Sequence, residues 1–152
     1  MKESFDKAFI MLEKFEGYYS NDPNDSGGET FFGISSENWP NQFAEIMALK
    51  TLVEKREYAK NFYKKNFWDV IGCDNLPYPL DICAFDLGVN SGVNKAKNLL
   101  KVTTNWKDYL FNRIEFYLAI SQGKNKVFLR NWITRVFKIW KLCNPEENLN
   151  YG

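Results

Sequence analysis

The stretch KFEGYYSNDPNDSGGETFFGIS, residues 14–35, joins the end of a helical pattern to a polar loop and an aromatic run. Upstream of it, Phe5, Ala8, Phe9, Leu12 and Phe15 recur at helical spacing, with Ser4 as the expected N-cap and Asp6 in the first turn. At about 100° per residue, Glu16 falls on that same apolar stripe, almost beneath Phe9 and Leu12, while Lys7 and Lys14 fall on the opposite face. A carboxylate aimed like a core residue is costly unless something neutralises or uses it. Beyond Glu16, Asn21, Asp22, Asn24, Asp25 and Glu29 crowd a loop marked by N-D-P and S-G-G turn signals. Thr30 to Ile34 reads as a short strand that, with Tyr18 and Tyr19, makes a small hairpin.

Working outward, Trp39-Pro40 breaks the chain before a helical segment near Phe43. Thr51-x-x-Glu54 is a capping box. It opens a long helix carrying Leu52, Tyr58, Ala59, Phe62 and Tyr63 and running toward Phe67 and Trp68. A loop from Gly72 to Pro77 leads to PLDICAFDLGVNSG, where Pro79 suits a first helical turn. That segment is apolar nearly all round, which predicts a central, buried helix. Asp86 lies inside it and Asn90 at its Gly-marked end. Val93 to Leu100, Trp106 to Ser121 and Lys126 to Leu142 predict three more helices, in which Tyr117 and Trp132, like Trp68, read as core. The pattern implies a mainly α, single domain over residues 1–143, with a small β-hairpin or loop lobe near the N-terminus and a polar tail over 144–152.

Composition narrows the chemistry. A chain of 152 residues that is 45% apolar and 17% aromatic is long enough for one well-filled core. With 20 basic against 19 acidic residues, charge gives no reason to expect nucleic acid. Histidine is absent, which excludes Ser-His-Asp and Cys-His nucleophile systems and His-ligated zinc. Cys73, Cys83 and Cys143 lack C-x-x-C spacing and are odd in number, so they predict reduced thiols and no metal. No cofactor is expected. The N-terminal apolar run, Ala8 to Leu12, is too short for a signal peptide or a membrane span. The expectation is synthesis in the cytoplasm and, for an extracellular target, release by a holin, lysis or a secretion system.

Catalysis at neutral pH is left to carboxylates, tyrosines, lysines or thiols. Cleaving an acetal between sugars needs an acid protonated near neutral pH, usually with a second carboxylate across the bond. Apolar surroundings favour the neutral form of a carboxyl, and Glu16, ending an apolar stripe, is the candidate acid. Asp25 and Glu29 are the candidate second carboxylates, with Asp22 organising the N-D-P turn. Tyr18 and Tyr19 could stack on sugar faces, Asn21 could bind hydroxyl or N-acetyl groups, and Thr30 could hold a water or the second carboxylate. Asp86 and Asn90, four apart, share a helix face. Both could line a cleft floor; for Asp86 the better reading is an internal cap or a buried hydrogen bond holding the N-terminal loop.

These residues resemble the signature of the glycoside hydrolase family 108 lysozymes, which include secretion activators and phage endolysins. The family mark is E-G-G-Y followed by N-D-P-x-D-x-G-G-x-T-x-x-G-I; this chain reads E-G-Y-Y, with Tyr18 in place of the second Gly. The likeness continues in AKNFYKKNFWD, residues 59–69, in LPYPLDICAFDLGVNSG, residues 76–92, and in Arg113, Tyr117 and NWITRV near the C-terminus. The resemblance implies a lysozyme-like, mainly helical N-acetylmuramidase acting on peptidoglycan glycan strands, with Glu16 as its essential glutamate; a monomer is expected. Around Val102 to Asn105 the chain is short where the family carries a longer segment of its peptidoglycan-binding part, which bears on wall affinity and not on chemistry. A lytic transglycosylase using Glu16 alone, and a non-catalytic wall-binding or secretion-helper protein, are the competing readings.

Overall fold

The computed structural model describes residues 2–23 and 28–145, which form two compact units, Met1–Val70 and Ile71–Gly152. In the first unit, helix α1 (Lys2–Glu16) is followed by three two-residue strands, β1 (Tyr19–Ser20), β2 (Thr30–Phe31) and β3 (Ile34–Ser35), and by helices α2 (Pro40–Ala48) and α3 (Leu52–Tyr63). The strands form one antiparallel sheet in the order β1-β2-β3. The fold is thus mainly helical with a small β lobe near the N-terminus, as the sequence predicts.

The core of this unit is the apolar stripe of α1: Phe5, Ala8, Phe9 and Leu12 are all buried. Phe5 meets Trp68 edge-on at 5.2 Å and Phe9 lies 6.3 Å from Tyr63. The polar flanks of α1 lock to α3 as well. Glu13 grips Arg56 through both carboxylate oxygens, and Asp6 pairs with Lys60 at 2.8 Å. Ser4 is not the N-cap. Nothing in Lys2 and Glu3 stops the helix, Glu3 pairs with Lys7 one turn on, and Ser4 is left almost buried inside the first turn. The capping box forms as predicted: Thr51 accepts from the Glu54 backbone, and Glu54 accepts from that of Thr51. After Tyr63 the backbone widens into a π-helical stretch, Lys64–Trp68.

In the second unit, helix α5 (Leu80–Ser91) follows a one-turn helix α4 (Asp69–Ile71), within which the boundary between the units falls, and a 3-10 turn at Cys73–Asn75. Every residue of α5 from Leu80 to Gly88 is buried, which is why its sequence is apolar on all sides. Around it come α6 (Val93–Leu100), α7 (Trp106–Ile120) and α8 (Leu129–Cys143), the last preceded by a 3-10 turn over Gly123–Phe128 where a helical start at Lys126 was expected. Tyr117 is fully buried and stacks on half-buried Trp132 at 5.1 Å.

Candidate active site

Glu16 is the last residue of α1. The helix ends there because Gly17 takes a left-handed φ of +67° while its N–H still bonds the Glu13 carbonyl at 2.9 Å. That geometry suits glycine and turns the chain directly into β1. Glu16 is half-buried, and its stem lies against a tight turn between β2 and β3. The run Thr30 to Ile34 is therefore not one strand. It folds back at Phe32-Gly33, with Phe31 paired to Ile34 across a two-residue turn. Both turn residues have positive φ, +48° at Phe32 and +78° at Gly33, the signature of a type I′ hairpin.

This turn is held from two sides. The Phe32 N–H donates to the Tyr18 carbonyl at 2.8 Å, and the Tyr63 hydroxyl, buried on α3, donates to the Phe32 carbonyl at 2.8 Å. A methyl group on Gly33 would sit 2.6 Å from Tyr63 Oη, 2.9 Å from Glu16 Cγ and 3.2 Å from Glu16 Cβ. Only a residue without Cβ lets the hairpin pack this closely on Glu16. Sequence reasoning missed Tyr63, Phe32 and Gly33 as parts of the site. The one local signal was a Gly inside an apolar run, and a two-residue turn usually announces itself with Asn-Gly or Asp-Gly.

The sheet gathers the other candidates of this unit. Tyr19 on β1 donates its hydroxyl to Glu29 Oε1 at 2.9 Å and stands 5.1 Å from the Phe31 ring. The bond to Glu29 is the main reason the Tyr19 phenol is held above its ordinary range, and Asn21 bonds the same hydroxyl in opposition. Thr30 on β2 pairs with Ser20 and Ser35, and the Glu29 carbonyl accepts from the Ser36 N–H at 2.9 Å. Tyr18 is 60% exposed, an open aromatic face next to the helix end that carries Glu16. Asp25 lies outside the described residues.

Asn90 belongs to the second unit, at the end of α5. Its Oδ1 accepts from the Tyr117 hydroxyl, which in turn accepts from Arg113 Nε at 2.8 Å. Arg113 Nη2 lies 2.7 Å from Asp86 Oδ2, and Arg135 reaches Asp86 Oδ1 at 2.8 Å. Asp86 and Arg113 are completely buried. Burial opposes ionisation of Asp86, but the two guanidinium groups outweigh it and hold the carboxyl below its usual range. Asp86 is thus buried, as its helix position suggested, but its partners are Arg113 of α7 and Arg135 of α8 and not the N-terminal loop, a pairing that local spacing did not reveal.

The sequence profile described as Glycosyl hydrolase 108 matches residues 9–92, more than half of the chain. The chain belongs to glycosyl hydrolase family 108. Membership makes it a glycoside hydrolase, in general terms a peptidoglycan hydrolase. Its fold is that of Brucella abortus SagA, at 23% identity and a TM-score of 0.75, over 97% of this chain and 98% of that one. No curated protein sequence matches it at a significant level. The matched segment holds Glu16, the sheet, Tyr63, Asp86 and Asn90.

Proposed function

We propose that this family 108 hydrolase is an N-acetylmuramidase, cutting the β-1,4 bond between N-acetylmuramic acid and N-acetylglucosamine with Glu16 as general acid. The observation that carries this reading is the setting of Glu16. It ends α1 inside the family-matched segment, half-buried, with its stem backed by the Phe32-Gly33 turn. An acid fixed in this way can hand its proton to the glycosidic oxygen as the bond breaks. The second carboxylate stabilises the sugar cation or activates water. Glu29, oriented by Tyr19, is the described residue that fits this role, and Asp25 is its competitor. Tyr18 offers a stacking face for a sugar ring; Asn21 and Thr30 offer polar groups for hydroxyl and N-acetyl substituents. The family match crosses the boundary between the two units, which supports reading residues 1–143 as one catalytic domain. The protein acts on glycan strands as a monomer.

Mass spectrometry of purified peptidoglycan after digestion tests this. Reducing N-acetylmuramic acid ends are expected, and Glu16→Gln should release them about 10²- to 10⁴-fold more slowly. Ends of 1,6-anhydro type would instead make the enzyme a lytic transglycosylase with Glu16 acting alone. Absence of any product from the wild-type protein would leave only a wall-binding or secretion-helper role.

A further inference from the structure

We infer that Tyr63 is a positioning residue for Glu16, acting through the Phe32-Gly33 turn; the inference rests on the catalytic reading of Glu16. Three observations meet at one point. The Tyr63 hydroxyl bonds the Phe32 carbonyl at 2.8 Å in a buried setting. Phe32 is the one described non-glycine residue with a positive φ, so its carbonyl is aimed by a backbone conformation that needs outside support. Tyr63 Oη and Glu16 Cγ both lie within 2.9 Å of where a Gly33 Cβ would sit, so hydroxyl and carboxylate stem flank the same spot on the turn.

The physical consequence runs in sequence. Tyr63 is anchored to α1 through Phe9, and α3 is anchored to α1 by the Glu13–Arg56 and Asp6–Lys60 ion pairs. The Tyr63 hydroxyl therefore refers the hairpin turn to the same rigid helix pair that carries Glu16. With the bond in place, Gly33 forms a fixed wall against the Glu16 stem and limits its rotamers. Without it, the Phe32 carbonyl loses a buried donor, the turn relaxes, and the carboxyl samples directions in which it cannot reach the glycosidic oxygen. Misplacement of a catalytic group by about 1 Å can cost as much as 100-fold in rate. Tyr63 never touches the substrate in this account, so its loss should act on turnover and not on wall binding.

The test is a mutant cycle on the full chain with purified cell walls, reading the saturated rate, the half-saturating wall concentration and the melting temperature. Tyr63→Phe keeps the ring and deletes the hydroxyl. It should lower the saturated rate by about 10- to 100-fold and leave half-saturation within about twofold. Combined with Glu16→Gln, it should subtract nothing further. Tyr109→Phe is the control, since it also removes a buried hydroxyl-to-carbonyl bond, to Ala96 at 3.1 Å, but in the other unit. It should lower the melting temperature by a similar amount and leave the saturated rate within about twofold. Gly33→Ala attacks the same contact from the other side and should reproduce the rate loss; it decides the matter if Tyr63→Phe does not fold. A Tyr63→Phe protein with wild-type turnover overturns the inference. So does an equal further loss in the Glu16→Gln background, or a rate loss in Tyr109→Phe as large as that in Tyr63→Phe. Full activity of Glu16→Gln instead removes the catalytic reading itself, and the inference with it. An inactive Glu16→Gln beside a fully active Tyr63→Phe removes only the inference.

Discussion

Glu16 and Asp86 both stand where a helix would normally present an apolar side chain, and the two units treat them in opposite ways. Asp86, in the middle of α5, is fully buried and is matched by Arg113 and Arg135. Glu16, at the last residue of α1, is half-buried and backed by a hairpin turn. One carboxylate is committed to holding three helices together. The other sits at a helix end, partly open to solvent. The difference teaches that the helical position of a charge shows only that it must be dealt with; how it is dealt with depends on what the rest of the chain brings to it.

Exchanging the two phenotypes would break this comparison. The largest expected effect is on rate: Glu16→Gln should lose about 10²- to 10⁴-fold in wall lysis, with a melting curve close to wild type. A well-folded, active Glu16→Gln protein would place the chemistry elsewhere. Asp86→Asn should fail in the other way. It leaves two guanidinium groups uncompensated in the interior and should destabilise the fold by about 3–5 kcal/mol, read by urea unfolding. That is a large share of the roughly 5–15 kcal/mol typical of a domain.

Acid sharpens the contrast further. The folded Asp86 carboxyl titrates below its usual range, so its contribution is fully present above the unfolded value, near 3.9, and is lost as pH falls through the folded value. Melting temperature should therefore drop below about pH 4 in the wild-type protein. Asp86→Asn should lack that part of the drop, and an identical acid profile in both proteins would show that Asp86 is not its source. Arg135→Met should be milder than Asp86→Asn, because Arg113 still neutralises the carboxylate; a loss of about 1.5–3 kcal/mol is expected. Smallest of all is Tyr19→Phe. Its bond to Glu29 is exposed, so the melting temperature should not move. The lytic rate should fall a few-fold if Glu29 is the second carboxylate, and an unchanged rate would favour Asp25.

Much of this was legible in the sequence, for local reasons. The α1 stripe, the Thr51 capping box and the all-round apolar α5 are each written within a dozen or so neighbouring residues, and each forms as read. Ser4 misled because a good capping residue is also tolerated inside a helix whose preceding residues do not stop it. The Phe32-Gly33 turn was not legible because phenylalanine rarely accepts a positive φ. It does so here with support from Tyr63, 31 residues away. Asp86 posed the same difficulty: its place on a buried helix was plain, but Arg135 lies 49 residues further on, on another helix. Glu16 was legible as a candidate from its helix phase and its motif, whereas the wall behind it was not.

The Asp86 centre also has a consequence for the order in which the chain is made. Synthesis runs from the N-terminus at about 5–20 residues per second. The 49 residues between Asp86 and Arg135 therefore take on the order of 2–10 s to follow. Until Arg113 is made the carboxylate lacks both of its counter-charges, and until the end of that interval it still lacks one. The second unit can reach its final charge balance only when all of α7 and about half of α8 have been translated, so its folding waits on α8. Nascent chains stalled just before Arg135 should remain open to protease across α5, and chains released at full length should not.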